Sequence, residues 1–172
     1  MSNVVIVNAK RSAIGKFLGS LSGLSSVDIG SSVLNSLIES SKIQKSEVDE
    51  VIMGQVLTGG HGQNPARQTM MLSEIPYEKS AVTINQVCGS GLRAIAIGAQ
   101  SILSGQSEIV IAGGQESMSN SHHTANIRNG IKMGDGSLKD SMIVDGLWCA
   151  MNDYHMGTTA ENIAEKYKIS KE

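Results

Sequence analysis

The chain has 172 residues and a net charge of −2, with 40% hydrophobic and only 3% aromatic side chains. That length holds one domain core, alone or with part of a second unit, and the core must be built from Val, Ile, Leu, Met and Ala. No basic stripe or long charge run is present, which excludes nucleic acid as the main partner, and no apolar run approaches a membrane span.

Val4–Val7 is a short run of β-branched residues and reads as a buried strand. After a Gly/Ser-rich stretch, Ser26 is the expected N-cap of a helix with Asp28 in its first turn. Val51–Leu57 reads as a second strand. The loop GGHGQNP follows, where Asn64 caps a short helix and Pro65 takes its first position. Ala81–Val87 reads as a third strand. Leu92, Ile95, Ala96, Ala99, Ile102 and Leu103 recur at helical spacing, with Gly105 as the stop. Ile109–Ala112 is a fourth strand. Strands with continuous apolar runs, alternating with helices, predict an α/β fold with a mostly parallel sheet between helices.

Residues 118–157 are rich in Met, Ser, Asn, Gly and His, with weak periodicity. They predict a loop-like subdomain after a core of residues 1–117. A last helix is expected from Thr158, with the capping box Thr158-x-x-Glu161 and no stop signal before Glu172. A helix without a stop points to a truncated chain.

Cys88 lies at a strand-to-helix turn, in NQVCGSGLRA. That places it at the C-terminal edge of the sheet, where open α/β sheets bind ligands. Free N–H groups and the macrodipole of the following helix favour a thiolate there. Gly89 and Gly91 remove bulk beside the sulfur, and the Cys88 N–H can donate to a substrate carbonyl oxygen. On the pattern alone, a small buried cysteine under a helix fits equally well. The second cysteine, Cys149, forms no CxxC pair with it, and no disulfide framework is present. The opening segment MSNVVIVNAKRS lacks the apolar h-region of a signal peptide, so a cytoplasmic location is expected. His122 and His123 have no zinc-ligand spacing, so no metal is expected. Arg67 and Arg93 read as structural, and Glu116 as a structural hydrogen-bond acceptor.

The stretch NQVCGSGLRAIAIGAQSI resembles the nucleophile loop of the thiolases. NAKRSAIGKFLGSL, GQNPARQ, AGGQESMSN, IKMGDGSLKDSMIVDGL and YHMGTTAENIAEKY resemble further thiolase segments, in order along nearly the whole chain. The resemblance implies acetyl-CoA C-acetyltransferase activity, forming acetoacetyl-CoA through an acetyl-Cys88 intermediate or running the reverse thiolysis. It implies that Leu147, His155 and Met156 line the pantetheine channel, and that coenzyme A is substrate and product, with no other cofactor. It also implies a homo-oligomer, a dimer for this chain and a tetramer for the complete enzyme. The family's later motifs, a catalytic His, a second Cys and an Asn, are missing here, and GLWCAMND around Cys149 does not match the second Cys. The chain is therefore expected to be the N-terminal part only and inactive alone. Its final sheet strand should be missing, leaving the edge beside the fourth strand exposed. Two rivals stay open: a degradative 3-ketoacyl-CoA thiolase, and a short non-catalytic protein that binds CoA or a partner.

Overall fold

In the computed structural model, residues 3–171 are described. They form two units, one running through Asn120 and one beginning at Ser121.

In the first unit, helix α1 (Ser26–Ser41) leads to strand β1 (Glu50–Gly54), helix α2 (Pro65–Leu72), strand β2 (Ser80–Ile84), helix α3 (Ser90–Leu103) and strand β3 (Val110–Gly114). The strands form one parallel sheet in the order β2-β1-β3. Glu50 stands opposite both Ser80 and Val110, and Gly54 opposite both Ile84 and Gly114. Because side chains alternate along a strand, Val51 and Met53 face one side and Ile52 and Gly54 the other. The first side packs with Leu34 and Ile38 of α1, Ala66 and Met70 of α2, and with Val48 and Ile75. Each such buried Val, Leu, Ile or Met side chain contributes about 1.5–3 kcal/mol. The second side lies under α3. Helices thus cover both faces, as the unbroken apolar strands predict.

Several boundaries and one face differ from the sequence reading, and strand β1 ends at Gly54 rather than Leu57. Val4–Val7 forms no ladder, and Val5, Ile6 and Val7 remain exposed. A β-branched run favours extended backbone, but a strand also needs a neighbour's N–H and C=O groups. The segment is not paired with β3, which is an edge among the described residues. It is tied instead through Asn8, whose Nδ2 donates to the hydroxyls of Ser40 and Ser41 at 2.8 and 3.0 Å.

The cap of α1 is Ser25 rather than Ser26. A capping box needs its acidic partner three residues on, and Asp28 stands at that distance from Ser25. Ser25 Oγ accepts from the Asp28 N–H, and Asp28 Oδ2 accepts from the Ser25 N–H at 3.0 Å. Strand β2 stops at Ile84, three residues before the expected end at Val87, because the chain turns there toward Cys88.

The face of α3 is also reversed. Its large residues Leu92, Ile95 and Leu103 are 76%, 43% and 62% exposed, while Ser90, Ala94, Gly98 and Ser101 are buried. Close approach decides this. A Cβ at Gly98 would stand 3.0 Å from Val110 Cγ1, so only small side chains fit between helix and sheet. Gly105 does end the helix, at φ +76°.

The second unit contains the hairpin pair β4 (His123–Thr124) and β5 (Lys139–Asp140), a π-helical turn at Met142–Leu147, the pair β6 (Trp148–Cys149) and β7 (Tyr154–His155), and helix α4 (Met156–Tyr167). None of the buried core hydrophobics among the described residues lies in this unit. Helix α4 starts two residues before Thr158, and its cap is His155. It also ends inside the chain. Lys168 takes the left-handed conformation at φ 53°, and the Ile169 N–H closes on the Ala164 carbonyl at 2.9 Å. A lysine in that role carries none of the sequence signal of a C-terminal glycine. The missing stop signal is therefore no mark of truncation.

Replacing Ser25 with Ala removes one arm of the box and should lower stability by about 1 kcal/mol. Thermal or denaturant unfolding measures this, and an unchanged midpoint would contradict it.

Candidate active site

The C-terminal ends of the three strands meet at a polar edge. A Cβ at Gly54 would come within 2.5 Å of the Ser90 carbonyl carbon and 2.7 Å of the Gly91 nitrogen. A Cβ at Gly114 would stand 3.2 Å from the Gly91 Cα. The first turn of α3 therefore rests directly on the backbone of β1 and β3. A Cβ at Gly91 would face Gly113 and Gly114 at 3.6–3.8 Å, an ordinary contact distance.

Between Ile84 and α3 the chain makes a tight turn. The Val87 N–H donates to Asn85 Oδ1 at 2.8 Å, and the Gly89 N–H to the Gln86 carbonyl at 3.1 Å. Ser90 Oγ accepts from the Gln86 N–H at 2.8 Å and donates to the Val87 carbonyl at 2.6 Å. These bonds hold Val87 at φ 49°, in the left-handed region. For a β-branched residue this is a strained conformation, costing about 1–3 kcal/mol. Cys88 follows it immediately, just before the Gly89 N-cap of α3, and its thiol is exposed. A strained turn at a sheet's C-terminal edge, presenting an exposed nucleophile at a helix start, suits attack on a carbonyl. An open pocket of about 290 Å³ adjoins the turn, lined by Gln55, Thr58, Asn64, Thr83 and Asn85 among others. A larger hollow of about 930 Å³ lies within the loop of residues 124–139 of the second unit. It is lined by residues of that loop alone.

A buried polar chain, not anticipated from the sequence, supports this edge. Thr69 Oγ1 donates to Gln115 Oε1 at 2.7 Å, Gln115 Nε2 to Gln55 Oε1 at 3.0 Å, and Gln55 Nε2 to the Leu57 carbonyl at 3.0 Å. The Gln115 side chain occupies the space a Cβ on Gly30 would need, so it also requires glycine in α1. The sequence does carry a faint signal. The dipeptide Gly-Gln ends both β1 (Gly54-Gln55) and β3 (Gly114-Gln115), and the register sets the two glycines side by side.

Glu116 is a structural acceptor, as read from the sequence. Its Oε2 accepts from the N–H groups of Val56 and Leu57 at 2.8 and 3.3 Å, which ends the β1 ladder. Its Oε1 is buried without a partner. Burial pushes its pKa above the ordinary 4.5, and the backbone N–H bonds from Val56, Leu57 and Ser117 offset that only in part. Arg67 is structural too, its guanidinium donating to the carbonyls of Tyr77 and Lys79.

In the second unit, β6 and β7 pair Trp148 with His155. Leu147 precedes that pair and Met156 follows it, so the antiparallel register brings Leu147, His155 and Met156 to one end of the hairpin. Leu147 is half-buried and the other two are exposed. His155 Nδ1 accepts from the Gly157 N–H at 2.9 Å. Cys149, in the same hairpin, is half-buried. The backbone N–H of Asn152, then its side-chain amide and the Met151 N–H, hold the Cys149 thiol below its usual range. His123 Nε2 stands 4.0 Å from Asp140 Oδ2. No cluster of three or more His, Cys, Asp or Glu side chains that could hold a metal occurs among the described residues.

These features define a thiolase-type α/β domain, and residues 4–172 match the thiolase N-terminal domain. The chain belongs to the thiolase family. It is 58% identical over 171 residues to an acetyl-CoA acetyltransferase of Allochromatium vinosum, which covers 99% of this chain and 43% of that protein. A second acetyl-CoA acetyltransferase, from Paracoccus denitrificans, is 54% identical over 99% of this chain and 44% of its own length. The crystal structure of Acat5 thiolase from Ascaris suum in complex with coenzyme A superposes with a TM-score of 0.85 at 40% identity, covering 91% of this chain and 41% of that one. This chain thus spans less than half the length of these relatives. Among the described residues no helix is long and apolar enough to cross a membrane.

Two substitutions test the edge. Gly54→Ala forces a methyl into backbone that cannot yield cheaply, and should cost about 1–3 kcal/mol or more. It should also speed amide exchange at Ser90 and Gly91. Wild-type exchange there would contradict the contact. For Glu116, a raised pKa means the folded chain holds a proton that the unfolded chain releases. That stability is present in acid and is lost as pH rises from 4.5 through the raised value. Glu116→Gln should flatten this part of the stability–pH curve. An unaltered slope would show that Glu116 is not the group responsible.

Proposed function

We propose that the chain is the N-terminal, acyl-accepting part of an acetyl-CoA C-acetyltransferase, with Cys88 as the nucleophile. The observation that carries this reading is the exposed Cys88 thiol on the strained Val87 turn at the sheet's C-terminal edge. The thiolate attacks the carbonyl of acetyl-CoA. The bond to the CoA sulfur breaks, and CoA leaves as a thiolate that takes up a proton. The acetyl group now rests on Cys88. A base removes the α-proton of a second acetyl-CoA, and the carbanion attacks the acetyl-Cys88 carbonyl. Cys88 departs as thiolate, and the product is acetoacetyl-CoA. Run backward, the same steps are thiolysis. The backbone N–H of Cys88 is assigned to the oxyanion hole.

Leu147, His155 and Met156 are assigned to the CoA channel. Their gathering at one hairpin end supports this, as does the coenzyme A bound by the Ascaris suum relative. Residues 118–172 are taken as the start of the loop subdomain. The bases are expected from a further half of the enzyme, so this chain alone should not turn over. Two surfaces support a missing half: the exposed Leu92, Ile95 and Leu103 of α3 and the open edge of β3. The assembled enzyme is assigned as a homo-oligomer, with a dimer formed by this domain. A reducing cytoplasm is the assigned compartment because it keeps the Cys88 thiol free.

Acetyl-CoA should leave an acetyl mass on Cys88 in the complete enzyme, and Cys88→Ser should lower the condensation rate on the order of a thousandfold or more. The same enzyme should cleave four-carbon 3-ketoacyl-CoA in preference to sixteen-carbon substrate. Acetylation elsewhere would defeat the nucleophile assignment, and cleavage confined to long chains would favour a degradative thiolase.

A further inference from the structure

His155 makes a local hydrogen bond that its place in a ligand channel does not by itself require. It is the N-cap of α4, with extended backbone at φ −67° and ψ 145°. Its Nδ1 stands 2.9 Å from the Gly157 nitrogen. A backbone amide can only donate, so Nδ1 must accept, and an accepting ring nitrogen carries no proton. Neutral imidazole then keeps its proton on Nε2. An imidazolium would set N–H against N–H and break the cap. The contact is close enough that a Cβ on residue 157 would stand 3.2 Å from Nδ1. Thr158 and Glu161, the cap expected from the sequence, lie inside the helix and do not compete.

We infer that His155 acts through Nε2–H as a hydrogen-bond donor to a carbonyl oxygen of the CoA thioester, and not as a base. The inference rests on the channel assignment made above for Leu147, His155 and Met156. A neutral imidazole has one ring lone pair for accepting a proton. The helix cap uses it, so none is left for proton abstraction. Trp148 pairs with His155, and the apolar residues Leu147 and Met156 stand next to that pair along the chain. In the complete channel a donor between two apolar side chains supplies orientation, which is the usual part of the few polar groups in an apolar pocket.

Nitrogen-resolved NMR of this chain at mildly alkaline pH reads the tautomer directly. The expected result is Nε2 protonated and Nδ1 bare. An Nδ1–H form would overturn the inference and leave the channel assignment standing. Two substitutions in the complete enzyme test the ligand end. His155→Asn keeps an acceptor where Nδ1 stands but removes the far N–H. Gly157 amide protection should persist, and KM for acetyl-CoA should rise about tenfold. His155→Gln returns a donor near the Nε2 position without the cap, so protection should fall while KM recovers. A KM unmoved by His155→Asn, with the tautomer as expected, would overturn the donor role and count against the channel assignment itself. A kcat loss on the order of a hundredfold or more in both variants would mark His155 as a base and overturn the inference.

Discussion

Everything at the candidate site depends on how closely the first turn of α3 approaches the sheet. Gly54 and Gly114 stand side by side at the ends of β1 and β3, and the backbone at Ser90 and Gly91 occupies the space their side chains would fill. This contact sets the end of the turn that begins at Ile84. With both ends fixed, Val87 is driven into a left-handed conformation that a free valine avoids. Its strain is balanced by the Ser90 hydroxyl, which bonds both the Gln86 N–H and the Val87 carbonyl. The position of Cys88 is therefore a property of the sheet edge and not of the loop alone.

Below that edge the polar groups are shared rather than isolated. Gln55 and Gln115 leave the adjacent strands β1 and β3 at the same level and join through Thr69 to α2. Buried amides of this kind are costly unless satisfied, and here each finds a partner. Glu116 ends the β1 ladder by accepting the N–H groups that the next strand residues would have offered to a neighbour. The cost appears at its second oxygen, buried without a donor. The edge is thus rigid in its amides and titratable in one carboxyl.

The two units differ in what holds them. The first has a core of aliphatic side chains between sheet and helices. The second is organised by short hairpins and helix caps, with no buried core hydrophobic among its described residues. His155 belongs to that economy of local bonds. A residue whose sequence neighbourhood suggests a ligand contact also serves as the helix cap, and one nitrogen cannot do both. That division of the ring is what gives the histidine a defined polarity.

Much was legible in order and type. The strand–helix alternation, the Asn64-Pro65 helix start and the Gly105 stop follow from local preference, because caps and apolar periodicity act over a few residues. Cys88 at a strand-to-helix turn is equally local. What local pattern could not decide was which neighbour each element meets. Val4–Val7 has the composition of a strand and no ladder, since a ladder belongs to two segments. The apolar stripe of α3 faces outward, since the sheet beneath admits only Ala94, Gly98 and the serines. The cap of α4 is a histidine and its stop a lysine, roles set by backbone geometry rather than residue preference. The sequence by itself determined the α/β alternation and the residue at the turn. Tertiary structure alone decided the closeness of α3, the strain at Val87 and the bound lone pair of His155, because each arises from groups distant in sequence or from backbone geometry that composition does not encode.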